Sequence, residues 1–319
     1  MLERSGVAPS VGAVVVTWSG LDHARECLRS LLRSHYPDLR VCLVDNGSPL
    51  NIGRTLAAEF PPVEVIRLED NGGYAAGCNA GLRWAQDRGI DYALLLNDDT
   101  IADPGMVSAL VDRAHSLGDA IVAPKILHSS EAGAVWSTGG RIRRPWFKAD
   151  HIASDVADSD EARQVEWASG CALMVPVPLL SRVGVLDERY FLYLEDVDWC
   201  LRALRHGVPV WYEPAAKLWH EVSSSVDDLD NRSVRYYSYR NHYLLAFTHS
   251  GWVGRFWFSL HFTITWAKIA ARTAFFPRYR RDGWYHARTR AMFDFLRGRF
   301  GRAPYDDPEP AMTSEVRVA

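Results

Sequence analysis

From Gly12 to about Ala123, short β-branched runs alternate with amphipathic segments, and this alternation constrains the fold more than any other feature of the chain. AVVVTW (Ala13 to Trp18) is continuously apolar, as a strand buried on both faces is. In the segment that follows, Ala24, Cys27, Leu28, Leu31 and Leu32 fall at helical spacing, and Asp22 is placed to cap the start. Then come the strand RVCLVDNGS with its turn, a polar helix near Ile52 to Glu59, and the strand VEVIRL. The glycine-rich NGGYAAGCNAG, the helix LRWAQDRG, the strand YALLLNDDT and a helix opened by Asp103-Pro104 complete the series. Strand and helix in alternation predict an α/β fold with a parallel sheet and helices on both faces.

Ligands of such sheets bind beyond the carboxyl ends of the strands. Here those positions are Thr17 to Gly20, Asp45-Asn46-Gly47-Ser48, Asn71-Gly72-Gly73 and Asn97-Asp98-Asp99-Thr100. Taken singly, DNGS and DNGG are ordinary turn sequences, because Asn and Gly tolerate positive φ. Four polar turns on one rim are expected to form a binding edge.

Two acidic clusters stand out. In LLLNDDT, paired acids end a strand, where they can hold a hard divalent cation; Thr100 and Asp103 also precede a Pro-led helix, so a capping loop is the alternative. In YLEDVDWC, three carboxylates (Glu195, Asp196, Asp198) lie between FLYL and an amphipathic run in which Val197, Cys200, Leu201 and Leu204 mark one helix face. The free N–H groups of a helix start favour each acid by roughly 0.3 to 1 kcal/mol. Capping accounts for one or two of them. The aromatic FLYL wall should also exclude water and let one carboxylate act as a base near neutral pH.

With 319 residues, 48% hydrophobic and 24% charged, the chain is long enough for one large α/β domain with an appendage or for two small domains. A net charge of -3 gives no support to a nucleic-acid partner. The five cysteines are scattered singly without CxxC or zinc spacing, which fits a reducing compartment, and the N-terminus lacks a secretory apolar region, so a cytoplasmic location is expected.

The motifs VVVTW, LVDNGS, NGGYAAGCNAG, LLLNDDT, SGCALMVP, FLYLEDVDWCLR and WH, in this order over about Ala13 to Tyr243, resemble those of family 2 glycosyltransferases, especially the bacterial rhamnosyltransferase-like branch. The resemblance implies a GT-A nucleotide-diphospho-sugar transferase fold, with a Rossmann-like, mostly parallel sheet. It implies transfer of a sugar from dTDP-rhamnose or a UDP-sugar to an acceptor hydroxyl, with inversion, in bacterial cell-surface polysaccharide or glycolipid assembly. By the same resemblance Thr17, Asp45, Asn71, Gly72, Gly73, Asn79 and Asp98 contact the nucleotide-sugar donor. Asp99 and His220 hold a divalent metal, Mg²⁺ or Mn²⁺, and the first acid of the family's DxD motif is Asn97 here. Asp196 is the general base, with Glu195 positioning it or the acceptor, a glycan or lipid-linked glycan. A sugar nucleotidyltransferase would carry a basic glycine-rich loop after the first strand, where this chain has TWSGLDH. An inactive sugar- or nucleotide-binding module is disfavoured by the intact Asp99 and Asp196.

These readings divide the chain into a catalytic domain at 10–248, with a nucleotide half at 10–125 and an acceptor half at 126–248. A basic aromatic helical extension follows at 249–300, and a disordered tail at 301–319. The stretch His128 to Glu166 reads as an irregular insertion facing the acceptor. In the extension, the longest uncharged run, Phe256 to Ala267, falls short of the roughly 20 residues needed to span a bilayer. Trp and Phe flanked by Arg and Lys fit a helix lying at the inner face of the plasma membrane, and a helical cover or a homodimer contact is the alternative.

Overall fold

The computed structural model describes residues 8–118, 120–130, 134–152, 160–221, 231–276 and 283–303. Almost all of the tail expected to be disordered therefore lies outside the described residues. The first half runs β1 (Val11–Thr17), α1 (Leu21–Leu31), β2 (Leu39–Asp45), α2 (Ile52–Glu59), β3 (Glu64–Arg67), α3 (Tyr74–Asp87), β4 (Tyr92–Asn97), β5 (Thr100–Ala102), α4 (Met106–Ser116) and β6 (Ile121–His128). The rest comprises β7 (Val135–Ser137), β8 (Gly140–Arg143), β9 (Lys148–His151), β10 (Arg163–Val165), β11 (Ala172–Pro176), α5 (Leu180–Val183), α6 (Glu195–Arg205) and β12 (Val210–His220). Three helices follow: α7 (Asn231–His249), α8 (Trp252–Phe275) and α9 (Gly283–Leu296).

Among the described residues the main sheet has the order β10-β12-β6-β11-β4-β1-β2-β3, with β5 paired to β12 and β7 to β6. The pairs β1–β2, β1–β4, β2–β3 and β6–β12 are parallel, so β1 to β4 all end on one edge. β1 shows why its run is apolar throughout. Val14 and Val16 enter a core beneath α3 and α6, while Ala13 and Val15 enter a second core beneath α1 and α4.

Four details differ from the sequence reading. β11 is antiparallel to both β4 and β6, so its first residue, not its last, lies at the ligand edge. Helix α3 begins at Tyr74 and includes the glycines expected to form a loop. Gly77 and Gly81 lie against β1, where an added Cβ would sit 2.5 Å from Val16 and 2.0 Å from Val14, so they permit close helix–sheet packing. Asp22 lies in the first turn of α1 and does not cap it; the cap position is Gly20. The insertion is partly ordered, since β8 and β9 form a hairpin whose base is fixed by Gly140 donating to the Trp167 carbonyl at 2.8 Å.

Candidate active site

The first turn of the rim is tied to the acidic turn. Thr17 Oγ1, at the end of β1, donates to Asp98 Oδ2 at 2.5 Å. Burial pushes the Asp98 carboxyl up to about 7; the Thr17 hydroxyl opposes this and the neighbouring Asp99 charge adds to it. Asp45, at the end of β2, is wholly buried. It accepts from the backbone N–H groups of Ser48 (2.8 Å) and Gly53 (2.9 Å) and from Arg67 Nη1 (2.6 Å). Burial opposes its ionisation, but these donors hold the carboxyl below its ordinary value. Asp45 therefore shapes the rim from beneath.

Asn46, which the motif reading left without a role, laces two turns together. Its Nδ2 donates to Asn71 Oδ1 (3.2 Å) and the Gly73 carbonyl (3.0 Å), and its Oδ1 accepts from Gly72 N–H (3.2 Å). Gly73 has φ +85, and a Cβ there would lie 2.3 Å from the Phe191 carbonyl, so only glycine fits. Asn79 is not on this rim. It is buried in α3, donating to the Leu186 carbonyl and Glu188 Oε1 and accepting from Leu186 N–H, each at 2.9 Å. It clamps α3 to the loop that leads toward α6, because the second helical turn faces the core.

At the residues expected to hold a metal, β5 pairs with β12 so that Thr100 lies opposite His220, and Glu221 N–H donates to the Asp99 carbonyl at 3.0 Å. His220 Nε2 stands 3.2 Å from Asp99 Oδ1, both side chains being buried. Trp136 packs edge-on against His220 at 4.9 Å. One carboxylate oxygen and one imidazole nitrogen thus face each other, a donor pair that fits a divalent cation. Among the described residues no cluster of three or more acidic, His or Cys side chains could hold an ion alone. Two protein donors suffice for Mg²⁺ or Mn²⁺, which keep waters and substrate phosphates in their other positions.

Glu195, Asp196 and Asp198 occupy the first turn of α6. Asp196 Oδ2 accepts from Gly170 N–H and Oδ1 from Val197 N–H, both at 2.7 Å. Glu195 is buried, and among the described residues its Oε2 has no hydrogen-bond partner. Burial raises both carboxyls above their ordinary values, and the adjacent Asp196 charge raises Glu195 further. Asp198 does not satisfy the helix end, the role its position suggests. It binds His249 Nε2 (2.7 Å), Arg202 Nε (2.8 Å) and the Tyr190 hydroxyl (3.3 Å). Burial opposes its charge, yet His249 and Arg202 hold it below the ordinary value.

The turn before α6 is a left-handed stretch without glycine: Phe191, Tyr193 and Leu194 have φ of 64, 70 and 70. Such residues cost on the order of 1 to 3 kcal/mol each and persist only where surroundings hold them. Arg240 and Asn241, both buried on α7, do so by donating to the carbonyls of Tyr190, Leu192 and Tyr193, among others. The only hint in the sequence is a polar RN pair inside the aromatic run YYSYRNHY.

The two acidic clusters lie side by side. Asn97 N–H, just before Asp98, donates to the Cys171 carbonyl at 3.1 Å, and the preceding residue, Gly170, holds Asp196. Tyr74, at the head of α3, donates its hydroxyl to the Gly170 carbonyl at 2.6 Å. Burial raises the Cys171 thiol well above its usual range, and the charges of both Asp99 and Asp196 act on it in the same direction.

Residues 13–163 match the family described as glycosyl transferase family 2, and residues 92–279 match glycosyl transferase family group 2. The chain is 29% identical over 267 residues to an N-acetylglucosaminyl-diphospho-decaprenol L-rhamnosyltransferase of Mycobacterium tuberculosis, covering 75% of this chain and 85% of that protein. It is 24% identical over 212 residues to the dTDP-rhamnosyl transferase RfbF of Shigella flexneri, covering 64% and 70%. The fold is similar to that of GalNAc-T7 crystallised with UDP, GalNAc and Mn²⁺ (TM-score 0.56, 13% identity, 66% of this chain and 43% of that one). It is also similar to S. aureus TarS in complex with UDP-GlcNAc (TM-score 0.51, 15% identity, 74% and 66%).

Proposed function

This chain belongs to glycosyl transferase family 2, and from that premise we propose that it moves a hexose from a nucleotide-diphosphate sugar to the hydroxyl of a glycan or lipid-linked glycan, with inversion at the transferred carbon. One observation carries the mechanism: the Asp99–His220 pair and the Asp196 carboxylate lie at the adjoining ends of β4 and β11, joined by the Asn97–Cys171 and Gly170–Asp196 hydrogen bonds. Inverting transfer needs a base on one face of the sugar and charge neutralisation of the departing diphosphate on the other.

In this reading Asp99 and His220 hold a divalent cation, which when bound supplies positive charge to the diphosphate. The Asn46-laced turns at Asn71 to Gly73 and the Thr17–Asp98 pair receive the nucleotide. Asp196, oriented by Gly170 and Val197, takes the proton from the acceptor hydroxyl at a carboxylate oxygen. Buried Glu195, raised toward its neutral form, donates a hydrogen bond to the acceptor. A rhamnosyl donor is supported by the names of two relatives, and a lipid-linked acceptor by one of them, with work at the inner face of the plasma membrane in cell-surface glycan assembly.

The test is to incubate the purified chain with Mn²⁺ and a panel of nucleotide sugars without acceptor, reading thermal stabilisation and slow donor hydrolysis. Stabilisation and hydrolysis with one diphospho-sugar are expected. Turnover of a nucleoside triphosphate and a sugar phosphate with release of diphosphate would overturn the transferase in favour of a nucleotidyltransferase; stabilisation without hydrolysis would favour a binding module.

A further inference from the structure

Helix α8 has two opposed apolar faces. Phe258 and Ile269 are buried, with Phe262 half-buried on the same face, against α7 and α9. Half a turn around the axis, Val253, Phe256, Leu260, Ile264 and Phe275 form a second stripe along the helix, with Trp257 at its edge, and all six are exposed, Phe256 by 62% and Phe275 by 78%. An amphipathic surface helix turns one apolar stripe inward and a polar face outward; a second stripe calls for an apolar partner. The β8–β9 hairpin reaches the same side of the molecule. Exposed Trp146 at its tip packs against His261 of α8 with ring centroids 4.8 Å apart and planes tilted by 50°, and its backbone carbonyl contacts His242 of α7. The hairpin's base packs on Trp167, three residues before the Gly170 that holds Asp196.

Charge selects the partner. Residues 231–303 carry fourteen Lys and Arg against two acids, Asp282 and Asp294. Exposed Lys268 borders the outward stripe of α8, where its long cationic side chain can reach headgroups while the apolar stripe lies among acyl chains; Arg272 turns the other way and donates to the Tyr285 hydroxyl of α9 at 3.1 Å. A second copy would bring the same basic excess into contact with itself. No helix among the described residues is long and apolar enough to cross a bilayer.

We propose that the outward stripe of α8, together with Trp146, seats the protein in the interface of an anionic bilayer, so that a lipid-linked acceptor reaches Asp196 along the β8–β9 hairpin. The acceptor part rests on the function proposed above; the docking surface does not.

The experiment uses the full chain and its Leu260→Glu/Ile264→Glu variant, with vesicles of phosphatidylcholine alone or with about 30% phosphatidylglycerol. Sedimentation should show the intact chain on the anionic vesicles only, released by salt, with partitioning lowered about tenfold or more in the variant. A second variant, Lys268→Gln, should weaken anionic binding and leave the circular dichroism spectrum and donor hydrolysis unchanged. Equal partitioning of the chain and the Glu variant would overturn the proposal. So would a chain that ignores vesicles yet dimerises in sedimentation equilibrium through the same stripe, which would assign the stripe to a second copy. Absence of donor hydrolysis with intact vesicle binding would refute the transferase and leave the docking surface standing.

Discussion

Asn241 donates its side-chain amide to the Tyr193 carbonyl at 2.7 Å, and the same nitrogen reaches the carbonyls of Leu192 (2.7 Å) and Tyr190 (2.9 Å). A residue on α7 thereby fixes the left-handed turn that delivers Glu195 and Asp196 to the cleft. Asn241→Ala takes the side-chain donor from the Leu192 and Tyr193 carbonyls, while Tyr190 keeps Arg240, and should cost roughly 1 to 3 kcal/mol. Turnover should fall further than donor affinity does, since the turns after β1 to β4 that are proposed to receive the donor are untouched. Thermal unfolding together with separate kcat and KM values checks this, and an unchanged kcat in a destabilised variant would confine Asn241 to stability.

Asp196→Asn keeps the shape of the side chain and removes the proposed proton acceptor. Turnover should drop by about 10² to 10⁴, with nucleotide-sugar binding nearly intact. Because burial raises the Asp196 carboxyl, the acid limb of kcat/KM in the unaltered chain should lie above the ordinary value of about 4 for an aspartate. Near-full transfer by the Asn variant would reassign the base.

Asp99→Ala removes one of the two donors facing each other at 3.2 Å. Nucleotide binding measured by calorimetry with and without Mn²⁺ should lose its dependence on the ion. Metal-dependent affinity equal to that of the unaltered chain would exclude Asp99 as a ligand.

Asp198 links α6 to α7 through His249 and carries a depressed folded-state pKa. A lowered carboxylate pKa contributes stability that is fully present above the unfolded value, about 4, and is lost as pH falls through the folded one. Asp198→Asn should therefore reduce stability at neutral pH and flatten the loss between about pH 5 and the folded pKa. Urea unfolding at several pH values tests this; a constant difference between variant and parent at every pH would mean that the charge of Asp198 contributes nothing.

Much of the framework was legible in local sequence. The apolar run of β1 announces burial on both faces, which Val14 and Val15 satisfy by pointing into different cores. The polar turns at Thr17, Asp45, Asn71 and Asp98 fall at one edge because parallel strands end together, a consequence of chain direction that spacing alone reveals. The acids of α6 were placed on its first turn by apolar residues that recur every three or four positions. What each of those acids does was not legible, since three neighbouring carboxylates in one turn differ only in what lies across from them. Gly170 stands opposite Asp196 and His249 opposite Asp198, from positions 26 and 51 residues away along the chain. Asp45 and Asn79 show the same limit: each is a polar residue near the expected rim whose partners, Arg67 and Leu186, turn it into a brace. The hold of Arg240 and Asn241 on the FLYL turn also depends on backbone carbonyls, which carry no side-chain signature. Periodicity and turn chemistry fix elements and edges; partners across the fold decide whether a carboxylate is free to accept a proton or is bound into the scaffold.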